Sequence, residues 1–410
     1  MIRVRVGDFR LGEEERKAIN DVLDSGKISE GEKVREFEKE WANFIGTKYS
    51  IAVSSGTSAL IAGLIALRYR EELGINKGTK VITAPITYIS TSNAIVLSDF
   101  ELVYVDIDRE TFGITPENIK AHLEQIDDTN EYSLILPVHL MGYPCDMDEI
   151  NKIATEYGLY TFEDSAQAHG TIYKGRKTGS LSLLSIFSFY IAHNIQAGEM
   201  GAVTTDDQEI IRLIKKIKAN GRLCDCPVCR RAEGKCPRLA SYKGEDDFDP
   251  RFTHDLIGYN FKTMEFQAAL GITQLKKADW ITQKRNENVK YLNEGLEEYS
   301  DVLQLPKYSK DISYLAYPIV IKKPDIISRK KLRSELEKRG VETRPLFGCI
   351  PTQQPAYKFL KEKYEGKLPN AEYIGKNAFY IGCHQYLEQE DLDFVIEKIK
   401  ATMVEQEVII

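Results

Sequence analysis

The sequence predicts an α/β fold: a mostly parallel sheet covered by helices on both faces, then a small α+β domain. Two patterns carry that expectation. Between residues 49 and 165, short apolar strands alternate with segments of helical periodicity, as crossover-connected parallel strands do. Beyond Pro306 the order changes to strand–helix–strand–helix through residue 402. The 410 residues suffice for one large core and a smaller companion. The expected division is a large domain over 1–300 and a small C-terminal domain over 301–410.

The elements follow in order. Segments 13–26 and 31–46 have apolar residues at helical spacing. YSIAVS (49–54) is a strand that runs into the helix 57–73. Further strands are expected at 80–85, 101–108, 132–140 and 159–165, with helices near 88–97, 115–125 and 146–157 between them. SIFSFYIAHNIQAGEMGAV (185–203) reads as strand, turn and Gly-rich hairpin, followed by a helix over 206–219. Residues 220–258 are irregular and rich in Cys, Gly, Pro, Asp and Arg. That is long for a loop inside a compact domain and points to a functional insertion. One long helix is expected over 264–297.

Composition narrows the class. Hydrophobic residues make up 42% and charged residues 29%, as in soluble globular enzymes. The net charge is −7, from 55 basic and 62 acidic residues, which argues against a general nucleic-acid binder. No apolar run reaches membrane-spanning length, and the N-terminal residues lack a signal-peptide stretch. A cytoplasmic location is expected.

Several motifs sit where chemistry would be. SSGTSAL (54–60) joins a strand to a helix N-terminus, where free N–H groups and hydroxyls can hold a phosphate; many such turns are only caps. ITAPITYIS (82–90) brings Tyr88 just past a strand end, as a core or a site residue. FEDSAQAHG (162–170) ends a strand at Asp164, either a helix cap or a buried carboxylate. His139 and His169 lie near these segments, outside the assigned set.

Together these segments resemble the DegT/DnrJ/EryC1/StrS sugar aminotransferases over roughly residues 8–402. In that family the sixth residue of the SFxxxK run is the lysine that holds pyridoxal phosphate. Here the run is SFYIAH, and the sixth residue is His193. The resemblance implies a fold-type I pyridoxal-phosphate fold. It also implies roles. Gly56, Thr57 and Ser188 would hold the cofactor phosphate, and Tyr88 and Ala166 would flank its ring. Asp164 would keep the pyridine nitrogen protonated, and Gln167 would bond the ring hydroxyl or the substrate. Asn260, in GYNFKTMEFQAALG (258–271), would reach the phosphate of a neighbouring subunit, which implies a homodimer with shared sites. Arg344 in TRPLF (343–347) would bind an anionic group of the amino donor or sugar nucleotide. One departure is GEMG, with Met200 where the family has glycine, which is expected to alter the hairpin behind His193.

Imidazole cannot replace the lysine covalently, but it can carry a proton near neutral pH. Family members with histidine here are 3-dehydratases of nucleotide-linked 4-keto-6-deoxy sugars that use pyridoxamine phosphate. The resemblance therefore implies such an enzyme, with His193 as acid and base.

Cys224, Cys226, Cys229 and Cys236 form a C-x-C-x2-C-x6-C cluster. In a cytosolic chain this pattern reads as a metal or redox site, and spacing alone leaves zinc and iron–sulfur open. The iron–sulfur type of 3-dehydrase, acting on CDP-4-keto-6-deoxyglucose, also has a cysteine-rich insertion before a GYN segment. That likeness implies a 2Fe-2S cluster fed by a separate reductase. The alternatives are structural zinc with glutamate as amino donor, a Cys226/Cys229 thiol pair, or a binding protein on an inactive scaffold. Arg222, Arg230, Arg231, Lys235 and Arg238 flank the cysteines, as a docking patch for an acidic partner or as solvated loop charges.

Overall fold

The structure is a computed structural model that describes residues 2–406 apart from Pro227 and Glu245. Its strands, in chain order, are β1 (Tyr49–Val53), β2 (Lys80–Thr83), β3 (Glu101–Tyr104), β4 (Tyr132–Leu136), β5 (Tyr160–Asp164), β6 (Ile172–Tyr173), β7 (Arg176–Lys177), β8 (Leu184–Ser188), β9 (Gly201–Thr205), β10 (Leu303–Gln304), β11 (Tyr317–Ile321), β12 (Arg344–Pro345) and β13 (Ala378–Ile381). Seven of them form the main sheet in the order β1-β9-β8-β5-β4-β2-β3. Only β9 runs against the others, pairing antiparallel with both β1 and β8. The expected mostly parallel sheet is therefore present.

The sheet is covered on both faces, so its central strands are apolar along their whole length. Every residue of β4, β8 and β9 is buried. On one face lies the helix Gly56–Tyr69, itself apolar nearly all round and buried from Gly56 to Leu67 save Thr57. A second core cluster gathers Phe37, Trp41, Phe187, Phe189 and Met200. Trp41 meets Phe187 and Phe189 edge-on, at ring separations of 4.9 and 4.8 Å.

A four-stranded antiparallel sheet follows, in the order β10-β11-β13-β12, with the helices Arg329–Lys338 and Gln389–Glu405 packed together beside it. The extreme N-terminus joins this unit. Val4 bridges Val341, and Arg3 pairs with Asp391.

Two expectations change. The helix expected over 264–297 is two helices, Glu265–Leu275 and Ala278–Leu296. The first packs on the helices Glu13–Ser25 and Glu32–Ile45, the second on Gln389–Glu405, so one axis cannot serve both. Lys277, at the break, is drawn to Glu15 at 2.5 Å and Glu14 at 3.3 Å. Met200 does not disturb its hairpin. Its side chain is fully buried in the second core, and its carbonyl accepts from Phe189 N–H at 2.8 Å.

Glu265 performs a long-range task. The helix Glu32–Ile45 begins after Gly31, which has no side chain to cap it. The Glu265 carboxylate accepts instead from the N–H groups of Gly31 (2.8 Å), Lys33 (2.8 Å) and Val34 (3.0 Å). An anion at this end also suits the helix dipole. Glu265→Ala should lower unfolding free energy by roughly 2–4 kcal/mol, because it strands several donors at once. Urea unfolding checks this, and a loss within about 0.5 kcal/mol, the range of an ordinary surface change, would sink it.

Candidate active site

The carboxyl ends of the parallel strands open onto one cavity of about 470 Å³. Ligand crevices of α/β sheets lie at this edge. Gly56 and Thr57 enter it from the end of β1, Tyr88 from beyond β2, and Asp164, Ala166 and Gln167 from the end of β5. Ser188 closes β8, His193 follows on the turn to β9, and Arg344 arrives from the smaller sheet. Asn260 is exposed and absent from this lining. It bridges Ala219 instead.

The phosphate-type end is built by close approach. Ser55 caps the helix Gly56–Tyr69 by accepting from Ser58 N–H at 3.1 Å. The Gly56 and Thr57 N–H groups stay at the open helix end, where an anion is favoured. A Cβ on Gly56 would sit 2.6 Å from the Ser188 Cβ, so only glycine lets this turn meet the end of β8. Likewise a Cβ on Gly201 would lie 2.2 Å from the Ser55 carbonyl oxygen.

Asp164 is buried and makes no ion pair among the described residues, although the nearby His139 favours its ionised form. Thr91 donates to one oxygen at 2.8 Å and Ala166 N–H to the other at 3.2 Å. Burial outweighs these donors and raises its pKa. A carboxyl of this kind fits a cationic N–H partner in the cavity. Gln167 is oriented by Met141 N–H, which donates to its Oε1 at 3.0 Å, so its amide N–H groups remain to donate. Tyr88 is 59% exposed and meets Phe347 edge-on at 5.8 Å, so it is not a core tyrosine. Arg344 is held by Glu342 at 3.0 Å.

His193 has a defined tautomer. Its Nδ1 lies 2.6 Å from the Ser188 carbonyl oxygen. A carbonyl can only accept, so Nδ1 carries the hydrogen and Nε2 keeps the lone pair. Burial pushes its pKa down to about 4, with the Arg285 charge adding to the shift. The sequence alone implies a group titrating near neutrality; the fold makes it a neutral base there instead.

The neighbouring histidines are structural. His169 stacks on Phe189 at 5.2 Å, meets His193 edge-on at 6.0 Å, and accepts from Ile195 N–H. His139 accepts from Cys145 N–H through Nδ1 and donates from Nε2 to Glu163 at 2.9 Å. Glu163 also accepts from Gly179 and Leu181 N–H and from Ser182, so this buried knot braces the Asp164 loop. Thr91 and Glu163 gave no sequence signal, because each acts through a partner far along the chain.

Two features of the cysteine insertion bear on the roles expected for it. Among the described residues no three His, Cys, Asp or Glu side chains converge to hold a metal ion. Cys224, Cys226, Cys229 and Cys236 form no disulfide, and Cys229 is exposed. The basic patch is also largely neutralised from within. Arg238 pairs with Asp225, Arg231 and Arg251 with Asp249, and Arg230 with Glu233.

Residues 10–400 match the pattern of the DegT/DnrJ/EryC1/StrS aminotransferase family. The chain belongs to this family. It is 32% identical to the dTDP-4-dehydro-2,6-dideoxy-D-glucose 3-dehydratase of Saccharopolyspora spinosa, over 97% of this chain and 86% of that protein. It is 30% identical to the GDP-4-keto-6-deoxy-D-mannose 3-dehydratase of Escherichia coli O55:H7, over 94% and 96%. The E. coli GDP-4-keto-6-deoxy-D-mannose-3-dehydratase with bound hydrated PLP superposes with a TM-score of 0.85 at 29% identity, over 97% of this chain and all of that one. Among the described residues no helix is long and apolar enough to cross a membrane.

The depressed imidazoles have a consequence for acid stability. His193 and His384 are pushed down to about 4, and His169 well below its ordinary value, each mainly by burial. Above pH 6.5 both folded and unfolded states hold these rings neutral. Below it the unfolded chain takes up protons that the fold refuses, so stability falls as pH drops from about 6.5 toward 4. Urea midpoints across that window should decline. A level midpoint would mean that the rings protonate in the folded state.

Proposed function

We propose that this chain is a cytoplasmic, pyridoxamine- or pyridoxal-phosphate-dependent enzyme that dehydrates a nucleotide-linked 4-keto-6-deoxyhexose at carbon 3. The observation that carries the reading is a neutral His193, its Nε2 lone pair free, at the position of the family's lysine and in the wall of the cavity. Two relatives with 3-dehydratase names support it at 32% and 30% identity.

When bound, the cofactor supplies an amine for the sugar's keto carbon and a ring that accepts electrons. Gly56 and Thr57 N–H and the Ser188 hydroxyl would hold its phosphate. The Asp164 carboxylate would take the pyridine N–H, which relieves the cost of its burial. Tyr88 and Ala166 would flank the ring, and Gln167 would donate to the ring hydroxyl or the substrate. Arg344 would take an anionic group of the sugar nucleotide or amino donor. Asn260, outside its own cavity, would serve the phosphate site of a second copy in a homodimer.

His193 does the proton work. Nε2 accepts a proton, while the Ser188 carbonyl holds the ring in place through Nδ1. A protonated ring with a depressed pKa is a strong acid, so it readily passes the proton to the hydroxyl that leaves carbon 3. No residue here needs to bind the cofactor covalently. His193→Asn should keep cofactor binding and lose turnover by about 10²-fold or more. Spectrophotometric cofactor titration with a dehydration assay tests this, and normal turnover in the variant would defeat the assignment.

A second reading keeps the dehydration and adds an iron–sulfur electron relay at the cysteines, fed by a reductase. Its support is that Cys226 lies beside Cys224 and Cys236, near enough for each to raise its pKa. Iron, sulfide and zinc analysis after anaerobic purification, with electron paramagnetic resonance after reduction, separates the two. Near-stoichiometric iron and sulfide with a reducible signal would favour the relay. Zinc alone, or no metal, leaves the dehydration coupled to an amino donor such as glutamate.

A further inference from the structure

Arg285 is the largest charged side chain that is wholly buried, and among the described residues it has no carboxylate partner. Its guanidinium meets neutral acceptors only. Nη1 donates to the carbonyls of Leu315 (2.6 Å) and Tyr314 (3.2 Å), Nε donates to Gln385 Oε1 (3.2 Å), and Nη2 has no hydrogen-bond partner. A buried cation without a counterion is costly.

The hydrogen bonds lead from Arg285 to the cavity wall. Leu315, whose carbonyl Arg285 holds, lines the same cavity as His193. Leu315 N–H donates to the Met141 carbonyl at 3.2 Å, and Met141 N–H donates to Gln167 Oε1 at 3.0 Å. Two residues earlier, Ser313 accepts from Asn194, the residue after His193, at 2.7 Å. The stretch 313–316 therefore joins both the Gln167 side and the His193 side of the site to one guanidinium.

We propose that Arg285 is a positioning residue of the His193 site: an unpaired, fixed positive charge that anchors residues 313–316 and places its field on the imidazole. A cation there disfavours imidazolium and keeps His193 ready to accept a proton. The other titratable groups around Arg285 are His169, Cys383, His384, Tyr314 and Tyr386. Those around His193 are His169 on its flank and Tyr88, Asp164, Tyr190, Glu199, Arg344 and Tyr380 in the cavity. None of these carboxylates is paired with Arg285. The consequence for turnover rests on the reading of His193 as the base; the field on the imidazole does not.

Gln385→Glu tests the charge without removing Arg285. Gln385 is 3% exposed and its Nε2 has no partner, so a carboxylate loses no hydrogen bond and gives the guanidinium a counterion. The readout is the His193 midpoint in ¹³C-histidine NMR of the holoenzyme, where six histidines make a simple spectrum and His193→Asn assigns the signal. Gln385→Glu should raise the midpoint by roughly one unit, and the acid limb of kcat/KM should move with it. The neutral Gln385→Leu should leave both in place. An unmoved midpoint in Gln385→Glu, or an equal rise in Gln385→Leu, overturns the proposal. If Gln385→Glu does not fold, Arg285→Lys and Arg285→Gln make the same comparison, with the rise expected only in Arg285→Gln. A midpoint that moves without the acid limb would defeat the base reading and leave this one standing.

Discussion

One hydrogen bond organises the site. The Ser188 carbonyl, at the last residue of β8, receives the Nδ1 hydrogen of His193 at 2.6 Å. That contact decides which ring nitrogen is free, and the sheet decides where it points. β8 lies between β5 and β9, wholly buried, so its terminal carbonyl cannot wander. The same strand end sets Ser188 against Gly56 and carries the chain past Phe189 into the Trp41 core. Tautomer, anion site and local packing thus share one anchor.

The cavity is also tuned toward neutrality. Burial raises the Asp164 pKa and lowers that of His193. Each group is thereby left wanting a partner of opposite charge or a proton to exchange. A ligand with a cationic ring nitrogen and an anionic phosphate answers the first need, and a reaction that moves one proton answers the second. The surrounding supports are rigid: Thr91 on Asp164, Met141 on Gln167, and the Glu163–His139 knot behind the loop. Arg285 extends this order to the approach of the smaller sheet, through Leu315 and Tyr314.

The insertion 220–258 follows a different logic. Among the described residues its elements are a three-residue 3₁₀ turn and the short helix Pro237–Ala240, and ion pairs gather around Asp225 and Asp249. These pairs engage charges that the sequence leaves open as a docking patch or as solvated loop charges.

The sequence by itself determined the alternation of strands and helices, because period and chain punctuation are local properties. It also located Asp164 and Ser188 at the ends of strands, the glycine turn just past β1 and His193 on the turn after β8, because strand ends and their turns are marked locally. Only the tertiary structure decided what surrounds them. The break at Lys277 comes from two helices needing different neighbours. The cap from Glu265 to Gly31, the hold of Thr91 on Asp164 and the field of Arg285 on His193 join residues far apart in the chain. The His193 pKa is of the same kind. An imidazole's intrinsic affinity for a proton is written in its residue type, but the cost of charging it depends on burial and on neighbouring charges that only the folded chain assembles.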